Sequence, residues 1–256
     1  MIDAHAVVSP RAQLGEGVTV GPFAVIGPQV VIGDRTTIGA HAVIEGPTRI
    51  GVDNQIFSFA SIGSAPQDKK YKGEPTELRI GDRNVFREFC TINRGTATGR
   101  GLTTIASDCL FMAYSHVAHD CDIGNKVILA NCATMGGHVN IGDWVQLGGL
   151  SAIHQFCKIG AHAFVAGGAI LTRDLPPYVM IAGNPAAPHS INSEGLKRRG
   201  FSPEQIRNLR TAYRILYRSE LKLADAVAQL QELAREHAEV QPLLAFIDAS
   251  TRSLVR

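Results

Sequence analysis

Residues 116 to 122 bring together five side chains that can do acid–base or metal chemistry. The segment "SHVAHDCDIG", residues 115 to 124, contains His116, His119, Asp120, Cys121 and Asp122. Histidine, cysteine and aspartate all bind zinc in proteins. A histidine beside a carboxylate is also typical of a general base whose ring is oriented by its neighbour. A polar turn of a repetitive scaffold is a third interpretation, so the choice depends on how the chain positions these groups.

An apolar side chain recurs at every sixth residue over most of the chain. The recurrence runs through residues 2 to 62, 80 to 92 and 105 to 171, with a phase slip between the last two runs. Glycine often follows the apolar residue, and a small residue often stands four positions after it. A period of six fits neither an α-helix nor a simple amphipathic strand. It predicts a parallel β-helix in which three hexads close one coil of about 18 residues.

The hexads resemble those of the hexapeptide-repeat acyltransferases, whose coils form a left-handed parallel β-helix. The expected fold class is therefore mainly β, a left-handed parallel β-helix with a C-terminal α-helical domain. The left hand is implied by the resemblance alone, because the usual crossover rule favours the right hand. We expect the β-helix over residues 1–185 and the helical domain over residues 186–256.

Two stretches leave the repeat, near residues 64–79 and 94–104. Both are predicted to be loops that project from a rigid coil, where functional residues often lie. In the C-terminal domain, Ser202-Pro203-Glu204-Gln205 is a helix-start signal, with a serine cap, an early proline and a glutamine at the third position. Apolar stripes over residues 221–236 and 239–248 predict two more helices.

Composition narrows the classes of partner. The formal net charge of +2 gives no reason to expect a nucleic-acid ligand. The N-terminus has neither the basic nor the apolar region of a signal peptide, and no apolar run is long enough for a transmembrane segment, so we expect a cytoplasmic protein. The five cysteines show no disulfide or zinc spacing, and reduced thiols are expected.

Residues one coil apart lie above one another in a β-helix. Counting from His119 in steps of one coil gives Gly137 and then Gln155. The polar side chains expected to converge on this edge, three coils high, are those of His116, His119, His138, His154 and Gln155. Four cysteines instead fall at the inward-facing small position, namely Cys90, Cys109, Cys121 and Cys157. Cys121 is thus expected to pack inside the prism, so its sulfur is not counted among the candidate functional groups of the cluster.

Two chemistries remain open for the convergent histidines, while His5, His41 and His162 are interpreted as exposed turn residues. The γ-class carbonic anhydrases share the scaffold and bind zinc through three histidines, but their sites resemble an H-x4-H pairing that is not found here. No metal or other cofactor is therefore expected. Acyl transfer to an alcohol needs a base near the hydroxyl and a donor for the oxyanion. His119 and the backbone N–H of Gly137 fit these needs, because glycine lets a carbonyl approach closely.

Longer segments make the resemblance specific. "HVAHDCDIGN", "GGHVNIGDW", "HQFCKIGAHAFV" and "INSEGLKRRGF", together with "QDKKYKGEPTELRIGDRN", resemble bacterial UDP-N-acetylglucosamine O-acyltransferase over essentially the whole chain. The resemblance implies transfer of an (R)-3-hydroxyacyl group from acyl carrier protein to the 3-hydroxyl of the GlcNAc unit of UDP-N-acetylglucosamine, the first step of lipid A synthesis. It also implies a homotrimer in which each active site lies between two β-helices.

The same resemblance implies a role for each matching residue. His119 matches the general base, Asp120 its orienting carboxylate and Gly137 the oxyanion donor. The matches to substrate contacts are Asp68 and Lys70 in the first loop, His116, His138, His154 and Gln155 in the sugar and pantetheine region, and Asn192, Glu194, Arg198 and Arg199 in the nucleotide-binding segment. Arginine suits phosphate recognition because its planar fork donates two hydrogen bonds at once.

The acyl chain has its own candidate groove. Gly149 and Gly167 are one coil apart, so they are expected to stack into a smooth strip against which an alkyl chain lies. A bulky residue at the position of Gly167 shortens the preferred chain in the family, whereas Phe164 nearby is an alternative floor. "TINRGT" also places Asn93 where relatives commonly have histidine, and asparagine cannot carry a charge there.

Two further functions stay open. The N-acyltransferase of the same pathway has a similar scaffold, but it carries a separate N-terminal uridine-binding domain, whereas here the hexads begin at Ile2. A purely structural hexapeptide scaffold would transfer no acyl group. The convergence of four histidines on one edge argues against it.

Overall fold

The computed structural model describes all residues from Met1 to Arg256, and very short strands recur along the chain as far as Ile191. Each strand covers one side of a triangular coil and is usually only two residues long, since the chain must turn at every corner. The strands, in chain order, are β1 (Val7–Val8), β2 (Gln13–Leu14), β3 (Thr19–Val20), β4 (Val25–Ile26), β5 (Val30–Ile32), β6 (Thr37–Ile38), β7 (Val43–Ile44), β8 (Thr48–Ile50), β9 (Gln55–Ile56), β10 (Ser61–Ser64), β11 (Glu77–Ile80), β12 (Val85–Phe86), β13 (Thr91–Asn93), β14 (Leu102–Ile105), β15 (Leu110–Phe111), β16 (His116–Val117), β17 (Asp122–Ile123), β18 (Ile128–Leu129), β19 (Thr134–Met135), β20 (Asn140–Ile141), β21 (Gln146–Leu147), β22 (Ala152–Ile153), β23 (Lys158–Ile159), β24 (Phe164–Val165), β25 (Ile170–Leu171), β26 (Val179–Ala182) and β27 (Ala187–Ile191).

Three sheets form the sides of the prism. Sheet 1 has the order β1-β4-β7-β10-β13-β16-β19-β22-β25, sheet 2 the order β2-β5-β8-β11-β14-β17-β20-β23, and sheet 3 the order β3-β6-β9-β12-β15-β18-β21-β24-β26-β27. Strands of successive coils pair in parallel, as Val117 does with Met135, 18 residues further along the chain. The predicted fold class, a left-handed parallel β-helix with C-terminal helices, is confirmed.

The apolar residue of each hexad points into the prism. Ile26, Ile44 and Ile62, one above the other on sheet 1, are fully buried, and each such side chain stabilises the fold by about 1.5–3 kcal/mol. The four cysteines predicted to face inward are buried as well. Burial raises the pKa of Cys121 to about 12, so this thiol is a poor metal ligand or nucleophile.

The corners between sheets repeat one unusual backbone conformation. We call them corner 1–2, corner 2–3 and corner 3–1 after the sheets that they join. At corner 1–2, three successive coils place Asp120, His138 and Phe156 at positive φ angles of 59°, 61° and 67°. Positive φ is uncommon for residues other than glycine. Because the same corner position recurs in each coil, the side chains that occupy it lie above one another.

Both loops that leave the repeat project from corner 1–2. The first, residues 65–76, joins β10 to β11, and the second, residues 94–101, joins β13 to β14. The extra residues increase the sequence separation between paired residues of neighbouring coils, so that Ile62 pairs with Ile92, and Phe86 with Phe111. The next coil along the stack carries His119 at the same corner. The two loops therefore border the edge on which the histidines lie.

The C-terminal segment begins by extending the prism. Strand β27 pairs antiparallel with β26, so sheet 3 continues past the predicted domain boundary at residue 185. The helices are α1 (Ser193–Arg198), α2 (Pro203–Tyr217), α3 (Leu223–Glu236) and α4 (Gln241–Ala249), with a short 3₁₀ helix at Ala238–Val240. Ser202 and Gln205 form the predicted capping box at the start of α2. Helix α1 was not predicted from the sequence, and no helix is long and apolar enough to cross a bilayer.

Candidate active site

His119 and Asp120 form a hydrogen-bonded pair at corner 1–2. Nδ1 of His119 lies 2.8 Å from Oδ2 of Asp120. Since an ionised carboxylate only accepts hydrogen bonds, Nδ1 carries the proton and Nε2 keeps a free lone pair. The Asp120 side chain is fully buried, whereas that of His119 is 15% exposed. The pair therefore presents one basic nitrogen near the surface and holds its orienting group in the interior.

The second loop surrounds the Asp120 carboxylate with donors. It accepts hydrogen bonds from the Thr96 hydroxyl at 2.6 Å, from the Thr96 backbone N–H at 3.1 Å and from the Arg100 backbone N–H at 2.9 Å. Burial acts to raise the pKa of Asp120, but the hydrogen bonds from Thr96 and His119 outweigh it and hold the pKa below its usual value. Asp120 is therefore ionised at neutral pH and fixes the orientation of the His119 ring.

Gly137 lies against the ring of His119. A Cβ atom added at Gly137 would be 2.5 Å from Cε1 and 2.8 Å from Nε2 of His119, closer than van der Waals contact permits. The backbone N–H of Gly137 donates no hydrogen bond within the chain. A basic nitrogen and an unbonded amide thus lie side by side, in successive coils of one corner.

His138 closes the other side of this cluster. Its ring meets that of His119 edge to face, with centroids 5.1 Å apart, and stacks on Phe156 at 4.4 Å. Burial lowers the pKa of His138, although the nearby Asp120 carboxylate acts in the opposite direction. His138 is therefore neutral at neutral pH, and one of its ring nitrogens can accept a hydrogen bond from a hydroxyl.

These groups line a cavity of about 610 Å³, here called the histidine cavity. Its lining consists of Gln67, Asp68, Lys69, Lys70, Thr98, His119, His138, Gln155 and Phe156. The first loop is held over it by Arg94, which donates to the Gly63 carbonyl and, at 3.2 Å, to the Tyr71 hydroxyl. Two predicted residues lie at the same edge but outside the lining. His116 bonds through Nδ1 to the Thr91 hydroxyl at 2.7 Å, and the exposed His154 bonds to the Gln155 carbonyl at 3.0 Å.

His119, Asp120 and His138 also place three potential metal-ligand atoms within 4.8 Å of one another. The acceptor sites of Asp120 are, however, already taken by four donors, two from Thr96, one from Arg100 and one from His119. A carboxylate offers about four lone-pair sites. A metal ion would have to displace one of these buried donors, so the arrangement favours a hydrogen-bonded base over a zinc centre.

A second cavity, of about 680 Å³, lies on the outer face of sheet 3 and is here called the tryptophan cavity. Its lining consists of Asp108, Leu110, Lys126, Ile128, Trp144, Gln146, Phe164, Met180, Asn192, Glu194, Gly195, Arg198 and Arg199. All four residues of the predicted nucleotide-binding segment are among them. Asn192 is committed to local structure, because Oδ1 caps α1 and Nδ2 donates to the His162 carbonyl. Within one chain, this cavity and the histidine cavity share no residue.

Comparison with known proteins decides the family. The family model described as "Udp N-acetylglucosamine O-acyltransferase; Domain 2" matches residues 174–255, and that of bacterial transferase hexapeptides matches residues 11–46 and 102–137. The chain is 55% identical over 260 residues to the acyl-[acyl-carrier-protein]–UDP-N-acetylglucosamine O-acyltransferase of Janthinobacterium sp., covering 100% of this chain and 99% of that one. The chain belongs to the UDP-N-acetylglucosamine O-acyltransferase family.

Other members of the family match this chain over its full length, in sequence and in structure. The enzyme of that name from Thiobacillus denitrificans is 53% identical over 255 residues, with 100% of this chain and 99% of the relative covered. The UDP-N-acetylglucosamine acyltransferase structure from Francisella novicida superposes with a TM-score of 0.97 at 40% identity, covering 100% and 94% of the two chains. The O-acyltransferase structure from Moraxella catarrhalis gives 0.97 at 42% identity, covering 100% and 99%.

The predicted acyl-chain residues of this family member occupy two places. Gly149 and Gly167 lie one coil apart at corner 3–1, and the carbonyl oxygen of Gly149 would be only 3.3 Å from a Cβ added at Gly167. They form a strip of bare backbone, as expected from their spacing. Phe164 instead lines the tryptophan cavity. Neither glycine lines the cavity that contains His119 within the same chain.

One histidine prediction was wrong. His162 is not an exposed turn residue, because the C-terminal segment covers it with Phe201 and Arg199. Desolvation, with Arg199 nearby, lowers the pKa of His162 to about 4. Asn93 is buried and donates to the Ala65 carbonyl at 3.1 Å.

Sequence reasoning also missed Thr96, Arg94 and Gly99. A Cβ atom at Gly99 would lie 2.5 Å from Asp120 Oδ2 and 2.6 Å from His138 Cε1, so this glycine lets the second loop reach the cluster. These residues belong to non-periodic loops, and hexad counting gives no signal for where such loops fold. In the sequence, the "RGT" that follows β13 indicates only that the six-residue repeat is interrupted there.

Proposed function

We propose that this chain transfers an (R)-3-hydroxyacyl group from acyl carrier protein to the 3-hydroxyl of the GlcNAc unit of UDP-N-acetylglucosamine. One observation carries the proposal: His119, whose Nδ1 lies 2.8 Å from the Asp120 carboxylate, places its Nε2 beside a Gly137 amide that has no hydrogen-bond partner. A base and an oxyanion donor are what acyl transfer to an alcohol requires. The names of the full-length relatives, which specify UDP-N-acetylglucosamine and acyl carrier protein, support the choice of substrates.

The reaction proceeds by direct attack. Nε2 of His119 takes the proton of the substrate hydroxyl as its oxygen bonds to the thioester carbonyl carbon. The resulting oxyanion accepts the hydrogen bond of the Gly137 N–H, while the positive charge on the ring is stabilised by Asp120 at 2.8 Å. When the carbon–sulfur bond breaks, the imidazolium returns the proton to the leaving thiolate. No protein nucleophile is required, because the substrate hydroxyl attacks the thioester itself.

The other polar groups of the histidine cavity orient the two substrates. Neutral His138 and the amide of Gln155 suit hydroxyl and amide groups of a sugar, and Asp68 and Lys70 reach the cavity from the first loop. His116 and His154 flank the same edge and complete the sugar and pantetheine region. Lys70 carries an exposed cation, which also suits an acidic carrier protein.

A homotrimer with active sites between subunits accounts for the separation of the two cavities. The base lies at corner 1–2, whereas the nucleotide-binding segment lies over sheet 3 of the same chain. A neighbouring copy that presents its sheet 3 to corner 1–2 would bring the two halves together. The chain also has a contact surface to bury, since Phe23, Phe59, Phe89 and Tyr114 stack along corner 3–1 while remaining 42–58% exposed. Exposed apolar stripes of this kind are typical of interfaces.

The glycine strip at Gly149 and Gly167 is proposed to hold the acyl chain. Neither residue projects a side chain, so a long alkyl group meets only backbone there. We expect Gly167→Met to shift the preferred donor to a shorter acyl chain. A panel of 3-hydroxyacyl carrier proteins of different lengths tests this shift, and an unchanged preference would assign the chain to another groove.

The decisive experiment incubates the protein with UDP-N-acetylglucosamine and that donor panel. The wild type should form an ester-linked product, and His119→Ala should lose about 10²- to 10⁴-fold in rate with its fold intact. Lys222→Gln, which removes an exposed side chain from the helical domain, is the control and should keep full activity. Near-normal turnover of His119→Ala would refute the mechanism. Transfer to the free amine of UDP-glucosamine, without transfer to UDP-N-acetylglucosamine, would identify the N-acyltransferase activity, and one tightly bound zinc per chain would restore the zinc alternative.

A further inference from the structure

The single tryptophan of the chain holds two cations in the tryptophan cavity. Lys126 Nζ lies 4.4 Å from the centroid of the Trp144 ring, and the guanidinium carbon of Arg199 lies 5.2 Å from it. Both distances are within the range of cation–π attraction. Trp144 follows Lys126 by one coil at corner 2–3, whereas Arg199 arrives from the end of α1. The indole therefore brings together cations from two separate parts of the chain.

Neither cation forms an ion pair with a carboxylate. Further down corner 2–3, each arginine is matched by an aspartate, Arg35 with Asp53 and Arg83 with Asp108, both at 2.7 Å. That alternation stops at Lys126, which takes part in no ion pair. Asp108 and Glu194 also line the cavity, but Asp108 is paired with Arg83 and Glu194 with Lys197.

Arg199 is fixed in place by a further contact. Its guanidinium donates to Nδ1 of His162 at 3.2 Å. His162 in turn stacks between Trp144 and Tyr178, with interplanar angles of 10° and 17°. Because desolvation keeps His162 neutral, Nδ1 remains an acceptor and adds no charge to the pair. The cavity thus contains two positioned cations that form no ion pair.

We propose that Lys126 and Arg199, positioned by the indole of Trp144, bind the diphosphate of the nucleotide sugar. The assignment rests on the proposed function and adds Lys126 as a phosphate-binding residue and Trp144 as a positioning residue. A diphosphate supplies the anionic oxygens that both cations lack, and charge-assisted hydrogen bonds to phosphate are among the strongest that a protein makes. Leu110, Ile128 and Phe164 of sheet 3 form an apolar part of the cavity lining.

Calorimetric titration with UDP and with uridine distinguishes the contribution of the diphosphate to binding affinity from that of the nucleoside. Lys126→Gln should weaken UDP binding about tenfold and leave uridine binding unchanged, since removal of one phosphate contact costs about a factor of ten. Lys222→Gln removes an exposed lysine from the helical domain and should change neither affinity. In the acylation assay, Lys126→Gln should raise the KM for the nucleotide sugar about tenfold at constant kcat.

Two substitutions of Trp144 test the positioning role. Trp144→Leu should weaken UDP binding about as much as Lys126→Gln does, whereas Trp144→Phe, which keeps an aromatic face, should restore most of the affinity. In the wild type, the fluorescence of this sole tryptophan should change on saturation with UDP. Wild-type UDP affinity in Lys126→Gln, equal losses for UDP and uridine, or a Phe variant as weak as the Leu variant would each overturn the proposal.

The acylation assay keeps the two proposals apart. A wild type that acylates the sugar while Lys126→Gln behaves normally refutes the diphosphate assignment and leaves the proposed function intact. A wild type that transfers no acyl group refutes the proposed function, whatever the UDP titrations show.

Discussion

Replacing Gly137 by alanine tests whether the base depends on the bare backbone beneath it. The added Cβ would lie 2.5 Å from Cε1 of His119, whereas carbon atoms in contact stay about 3.5 Å apart. The ring must therefore retreat by about 1 Å. It is pinned by the hydrogen bond to Asp120 and by the edge contact with His138, so it cannot move without loosening both. A displacement of about 1 Å in a catalytic group costs about 10²-fold in rate.

The assay is kcat/KM for transfer of the acyl group to UDP-N-acetylglucosamine, with the melting temperature measured in parallel. Gly137 has a negative φ, so alanine is compatible with its backbone and the fold should persist. Gly27→Ala is the matched control, because no atom lies closer than 3.3 Å to its added Cβ, and its rate should stay within about twofold of wild type.

A double variant identifies the cause of the loss. In a His119→Ala background there is no ring to displace, so adding Gly137→Ala should reduce the residual rate little further. The reasoning is refuted if Gly137→Ala alone is nearly as active as wild type. It is also refuted if the substitution costs 10²-fold in the His119→Ala background, since the methyl group would then act by keeping the thioester from the amide.

Three more predictions follow from the buried groups. Asp120→Asn should destabilise the protein at pH 7, and the difference from wild type in urea unfolding should shrink as the pH falls below about 4, because a depressed carboxyl pKa contributes stability only while the group is ionised; an equal difference at pH 7 and pH 3 contradicts this. Arg94→Ala should release Tyr71 and with it the first loop, which limited proteolysis within residues 65–76 will detect as faster cleavage; unchanged cleavage would show that other contacts hold the loop. An aromatic disulfide reagent should leave the four buried thiols, Cys90, Cys109, Cys121 and Cys157, unmodified in the native protein and modify all five cysteines in denaturant; more than one rapidly reacting native thiol contradicts the burial.

The period of six explains why the fold and part of the site could be predicted. A strict repeat fixes vertical neighbours, so counting alone placed Gly137 above His119 and Gly167 above Gly149. It also separated the inward-facing Cys121 from its polar neighbours. Each of these predictions needs only the register of the coil, and the register is recorded in the aliphatic positions.

Other features depend on parts of the chain that have no period. The donors to Asp120 come from a loop, and nothing in the sequence of residues 94–101 specifies that Thr96 folds back on that carboxylate. The burial of His162 depends on Arg199 and Phe201, which dock from the C-terminal segment. Helix α1 could not be predicted, because six residues are too few to show an apolar periodicity. Tertiary contacts between distant segments decide all three.

Because coils stack one on another, the number of coils in the prism does not affect the local geometry around His119. A coil forms backbone hydrogen bonds only with the coils immediately below and above it, as Val25 and Ile26 do with Val43 and Ile44. Insertion or removal of one complete coil near the N-terminus would therefore leave the atoms around His119 where they are. Chain length in this architecture can therefore change in whole coils of 18 residues without a change in the geometry around His119.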